Sequence, residues 1–109
     1  MSDSKHQIVF STCPDRETAG KIAAAMVEEG LAACVNIIPG LTSVYSWQGK
    51  ICSDPELLLI IKTTAANYDR LESKIIELHP YDVPEIVAVN IDRGSPGYLN
   101  WISQVVKSG

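Results

Sequence analysis

Apolar residues recur along this chain with two periods, one near two and one near 3.6, and each change of period predicts a change of element. Ile8-Val9-Phe10, inside Gln7 to Thr12, is a β-prone apolar run that predicts a buried strand. Pro14-Asp15 follows, and Asp15 is placed to accept from the first free N–H groups of a helix. Ala19, Ile22, Ala23, Met26 and Val27 then recur at i, i+3, i+4, i+7 and i+8, one continuous helical stripe. Gly30 closes it, because glycine takes the positive φ of a helix terminus without steric cost.

From Ala32 to Trp47 the chain is β-rich, broken only by Pro39-Gly40, where a missing N–H predicts an edge, a bend or a bulge. Leu41, Ser43, Tyr45 and Trp47 alternate with Thr42, Val44, Ser46 and Gln48, so both aromatics share a face. Gln48-Gly49-Lys50 predicts a hairpin turn, with Ile51 to Thr64 as the return arm. Within it, Leu57-Leu58-Leu59-Ile60-Ile61 has no polar face, which predicts cover on both sides. Asn67 is expected to cap a second helix carrying Tyr68, Leu71, Ile75 and Leu78, ended by Pro80. Glu85 to Ile91 predicts a further strand. Ser95-Pro96 opens a last helix with Tyr98, Ile102, Val105 and Val106 facing inward.

The order β-α-β-β-α-β plus a C-terminal helix predicts an α+β, ferredoxin-like sandwich over residues 1–109, a single domain with a long central hairpin. Hairpin arms of roughly 15 residues would run near 50 Å if straight. A domain of this size has a radius of gyration of only about 13 Å. The arms must therefore bend or project, and a projecting ribbon exposes unpaired edges. Tyr45 and Trp47 near the tip belong to types enriched at interfaces. Self-association through the hairpin is the expectation.

Composition narrows the partners. A net charge of −4 argues against a phosphate-backbone partner, so no nucleic acid is expected. No apolar run, Leu57 to Ile61 included, approaches the ~20 residues of a membrane helix, so no membrane is expected either. Met1 to Gln7 is too polar and acidic for a targeting segment. Three cysteines, Cys13, Cys34 and Cys52, without a C-x-x-C pair, fit reduced thiols in a cytoplasmic protein.

Five segments, taken in order, carry a resemblance. Leu31-Ala32-Ala33-Cys34-Val35-Asn36-Ile37-Ile38-Pro39-Gly40 precedes Ser43-Val44-Tyr45-Ser46-Trp47-Gln48-Gly49-Lys50. Lys62-Thr63-Thr64, His79-Pro80-Tyr81-Asp82-Val83-Pro84-Glu85-Ile86 and Tyr98-Leu99-Asn100-Trp101 follow. Together they resemble the CutA family of divalent-cation tolerance proteins, from about Ile8 to Trp101. The resemblance implies a homotrimer whose hairpin strands pair between subunits, placing Tyr45 and Trp47 at the trimer interface. It also implies a role in copper or other divalent-metal tolerance and no firmly associated reaction. In the family's copper site a cysteine late in the first strand accompanies two adjacent histidines before the Pro-Tyr. Here Ser11 and Leu78 stand at two of those positions, leaving His79, with Cys13 two residues along the strand.

The candidate site residues follow. Lys62, His79, Tyr81 and Glu85 are expected around a ligand cleft between subunits, Glu85 serving as partner to Lys62 at the end of its apolar strand. His79 is a candidate metal ligand or a cap of helix carbonyls, and Cys34 and Cys13 are candidate soft ligands for copper or zinc. Buried filler is the favoured reading of Cys34, and Cys13, ahead of a helix, is expected to have a depressed pKa. Asp54 and Glu56 flank Pro55 and read as solvated carboxylates, with weak binding of a hard cation as the alternative. The function expected is a non-enzymatic trimer binding a metal ion or small ligand. A structural or signalling trimer and an acid–base enzyme using Lys62, His79 and Glu85 are the alternatives.

Overall fold

In the computed structural model residues 5–107 are described. Strand β1 spans His6–Cys13 and leads through Pro14-Asp15 into helix α1, Arg16–Glu28. Asp15 Oδ1 accepts from Thr18 N at 2.8 Å, the N-cap expected of it. At the other end Gly30, at φ +70°, lets Leu31 N reach Met26 O and Gly30 N reach Val27 O. A Cβ on Gly30 would meet the Lys107 side chain at 2.5 Å, so close packing adds to the conformational demand. Ala19, Ile22 and Met26 are fully buried, whereas Val27, at the flank of the stripe, is 48% exposed.

Strands β2, Cys34–Trp47, and β3, Lys50–Thr64, form the hairpin. Their register shifts between Ile38 and Leu41, where Gly40 sits at φ +87°, so Pro39-Gly40 forms a bulge. Trp47 pairs with Lys50, and the turn is only Gln48-Gly49, both at positive φ as a type I′ turn requires. The molecule measures 44 × 30 × 23 Å.

A short 3₁₀ turn, Ala65–Asn67, precedes helix α2, Tyr68–Leu78. Asn67 does not cap α2 with its side chain: its backbone is already helical, and its Nδ2 donates to Thr64 Oγ1 at 2.9 Å. His79 takes an extended conformation ahead of Pro80 and ends the helix. Strand β4 covers only Val87–Asn90, shorter than Glu85 to Ile91; it pairs with Gln7 to Phe10 of β1, and just past it Ile91 N donates to His6 O at 3.0 Å. Helix α3, Pro96–Val105, is capped by Ser95 as expected. It buries Ile102, and its C-cap Val106 is buried too, but Tyr98 and Val105 are exposed, so its inward face is narrower than the sequence pattern suggests.

The strands make one antiparallel sheet in the order β2-β3-β1-β4, the ferredoxin-like βαββαβ arrangement with an added C-terminal helix. The register divides the side chains into two faces. Val9, Ser11, Cys13, Leu57, Leu59 and Ile61 point to one and are buried, most of them in the core built with α1 and α2. The opposite face holds Ile8, Phe10, Ile38, Leu58, Ile60, Val87 and Val89 in adjoining rows. Here α3 reaches only the end, where His6 Nε2 lies 2.8 Å from Ser103 Oγ. The expectation that Leu57 to Ile61 is covered on both sides therefore fails within one chain. Leu58 and Ile60 are only half-buried, and Ile38, Val87 and Val89 are exposed.

Candidate functional site

Where the hairpin leaves the body of the sheet, the segment after α2 folds back toward it. Between them lies an open concavity of about 640 Å³, lined by Thr12, Ser43, Tyr45, Trp47, Glu56, Tyr81, Asp82, Val83, Pro84 and Glu85 among others. Strand pairing sets Leu41 opposite Glu56, Ser43 opposite Asp54 and Tyr45 opposite Cys52, which brings Tyr45 and Trp47 onto the side of these carboxylates.

Two tyrosines donate to two carboxylates. Tyr81 OH donates to Glu56 Oε2 at 3.0 Å, and Tyr45 OH donates to Asp54 Oδ2. Burial and the Glu56 bond push Tyr81 up to about 12, and the Asp54 bond does the same to Tyr45. Both phenols therefore keep their protons near neutrality and act as donors. Glu56, read from the sequence as solvated, is 7% exposed. It is the residue that sequence reasoning missed; its place beside the apolar run starting at Leu57 was the available signal.

His79 stands behind this wall. Its Nε2 lies 2.7 Å from the Thr12 carbonyl, so that nitrogen carries the proton and donates. Its Nδ1 accepts from Tyr81 N at 3.2 Å, and the two rings lie 4.7 Å apart between centroids. Both ring nitrogens are engaged, which leaves no lone pair for a metal in this conformation. His79 holds the start of the Pro80–Pro84 segment and so positions Tyr81 against Glu56.

The other candidates lie apart. Lys62 pairs in register with Ile8 and Cys34, six residues along β3 from Glu56, and its Nζ donates to Asn36 Oδ1. No Lys62–Glu85 ion pair forms; the ion pairs among the described residues are those of Lys74 with Glu29 and Glu77. Cys13 pairs with Leu57 and Cys34 with Lys62, roughly 17 Å apart along the strand, so His79, Cys34 and Cys13 cannot share one ion within a chain. Among the described residues no group of three His, Cys, Asp or Glu could hold a metal ion.

Cys13 also reverses its expectation. Burial first, then the charges of Glu56 and Asp15, push its thiol up to about 11, outweighing the helix dipole. Near pH 8 only about one thiol in a thousand would be ionised. Iodoacetamide is therefore expected to spare Cys13 in the native protein and to label it in urea, as peptide mass spectrometry would show. Equal rates in both states would contradict this burial.

Comparison with known proteins places these features. The family model described as CutA1 divalent ion tolerance protein matches residues 7–105. The divalent-cation tolerance protein CutA of Thermus thermophilus is 52% identical over 98 residues, covering 90% of this chain and 95% of that protein. The Protein CutA of Mus musculus is 46% identical over 99 residues, but the match spans only 56% of its length. A solved structure described as the periplasmic divalent cation tolerance protein CutA of Archaeoglobus fulgidus superposes with a TM-score of 0.91 at 36% identity, over 94% of this chain and 99% of that one. With its ferredoxin-like sheet, its bulged hairpin and a match along almost its whole length, the chain belongs to the family of CutA1 divalent ion tolerance proteins.

Proposed function

We propose that this chain serves divalent-cation tolerance without catalysing a reaction, as a homotrimer that takes up a small ligand at its inter-subunit clefts. The observation that best supports this reading is the open apolar face of the sheet. Phe10, Ile38, Leu58, Ile60, Val87 and Val89 form one contiguous surface there, unlike the scattered exposed apolar residues of ordinary monomers. Beyond the bulge the hairpin adds exposed Val44, Tyr45, Trp47 and Ile51. The outer strands β2 and β4 present edges that a closed ring of copies would cover.

The relatives' names fit a role in divalent-cation tolerance and assign no reaction. The cleft we envisage is walled by Tyr81, Glu85 and Glu56 of one copy, and Lys62 joins it only from a neighbour. A divalent or copper ion enters this reading the same way, through donors that two copies bring together. Three free thiols agree with a cytoplasmic setting, and no described helix is long and apolar enough to cross a membrane.

Calorimetric titration with Zn(II) and Cu(II) tests the shared cleft. Saturable uptake is expected for the assembled protein and is expected to disappear in the Val87→Glu/Val89→Glu variant, designed to remain monomeric. Equal affinity for both forms would contradict a site built from two copies.

A further inference from the structure

Resting on the cleft reading above, we infer that the part of the cleft one subunit supplies, the concavity at the hairpin base, selects an organic amine cation over anions and neutral molecules, whereas a bare metal ion needs donors from two copies. The first reason is Glu56. It is 7% exposed, accepts from Tyr81 OH, and takes part in no ion pair among the described residues. A carboxylate withdrawn this far from water without a cation is costly, and a cation entering the concavity offsets that cost.

The second reason is what surrounds it. Asp82 and Glu85 line the same concavity, and no lysine, arginine or histidine is among its lining residues. An anion would meet three carboxylates; one ammonium from a neighbour's Lys62 would still leave negative charge in excess. The third is the aromatic wall. Tyr45, Trp47 and Tyr81 line the space, and aromatic faces attract cations within about 6 Å. The two tyrosine hydroxyls already donate to Asp54 and Glu56, so the rings rather than the phenol oxygens remain for a ligand.

A bare metal ion fits less well, since no three-donor group exists among the described residues. The volume of about 640 Å³ lies within the range of small-molecule sites and exceeds what one ion needs. Carboxylates spread over several positions suit a ligand bearing more than one ammonium.

Trp47 reports the site directly. With Trp101→Phe as background, Trp47 is the remaining indole of the two in the sequence. Titration of the assembled protein with 1,4-diaminobutane is expected to give a saturable change in its emission. The response should weaken with added salt and be absent with 1,4-butanediol. Glu56→Gln is expected to weaken binding about tenfold or more, a loss typical of a buried charged partner. Glu85→Gln, at an exposed position outside the core, should weaken it less but in the same direction. An equal response to the diol, or undiminished affinity in both variants, would overturn the inference. A response to succinate or Zn(II) without one to the diamine would overturn the amine class and leave the cleft standing. Silence toward every probe would overturn both.

Discussion

Glutamate at both Val87 and Val89 is expected to reduce the particle seen by light scattering from three chains to one. These two residues sit on β4 opposite Phe10 and Ile8, in the apolar rows that neither α1 nor α2 covers. They are 51% and 47% exposed within the chain, so a charge there costs the isolated subunit little. In an assembly that covers them, each carboxylate would be taken from water without a partner, at an effective cost of several kcal/mol. Like charges from neighbouring copies would add to that. Far-UV circular dichroism should therefore stay close to the parent's while the mass falls. Val87→Ile, which keeps the surface apolar, should leave the mass unchanged. A trimeric glutamate variant would mean that the contact lies elsewhere.

The largest effect on stability is expected from Leu59→Ala. Leu59 is fully buried, paired with Ser11 on β1 and Ile37 on β2 in the core shared with α1 and α2. Truncating such a leucine removes its transfer free energy and leaves a cavity, together about 2–5 kcal/mol. At roughly 4–8 °C per kcal/mol for a domain of this size, thermal unfolding should move down by about 10 °C or more. Measurements belong at one fixed protein concentration, because self-association adds to apparent stability by mass action. Its neighbour behaves oppositely. Ser11 Oγ is buried with no hydrogen-bond partner among the described residues, so Ser11→Ala removes an uncompensated polar group. That variant should be neutral or up to about 1 kcal/mol more stable, and a loss near that of Leu59→Ala would contradict this view of the core.

Element types were legible in the sequence because each has its own period and its own stop signal. Asp15, Gly30, Pro80 and Ser95-Pro96 end or begin helices by local chemistry that needs no tertiary knowledge. What periodicity does not report is which surface covers an apolar residue. Leu58 and Ile60 look identical in sequence to Leu59 and Ile61, yet the register sends them to the face without helices. The length of β4 and the inward face of α3 depend on how much partner surface each meets, which no local pattern encodes.

The site was legible in part for the same reason. Tyr81 and Glu85 belong to one short segment, each directly after a proline, and arrive at the concavity together. Lys62 does not join them within the chain: an antiparallel sheet places it at the far end of β3. Glu56 was hidden because its burial depends on the bulge at Pro39-Gly40 and on Tyr81 folding back over it. The sequence leaves His79 open as a metal ligand or a helix cap. Its two ring contacts give it a third role, as the clamp that ties α2 to β1.

The central claim, that copies of this chain cover the open face of the sheet, meets its most direct test in the solution mass of the unmodified protein. Multi-angle light scattering at micromolar concentration is predicted to give three times the 11.9 kDa of one chain. A mass of 11.9 kDa would contradict it.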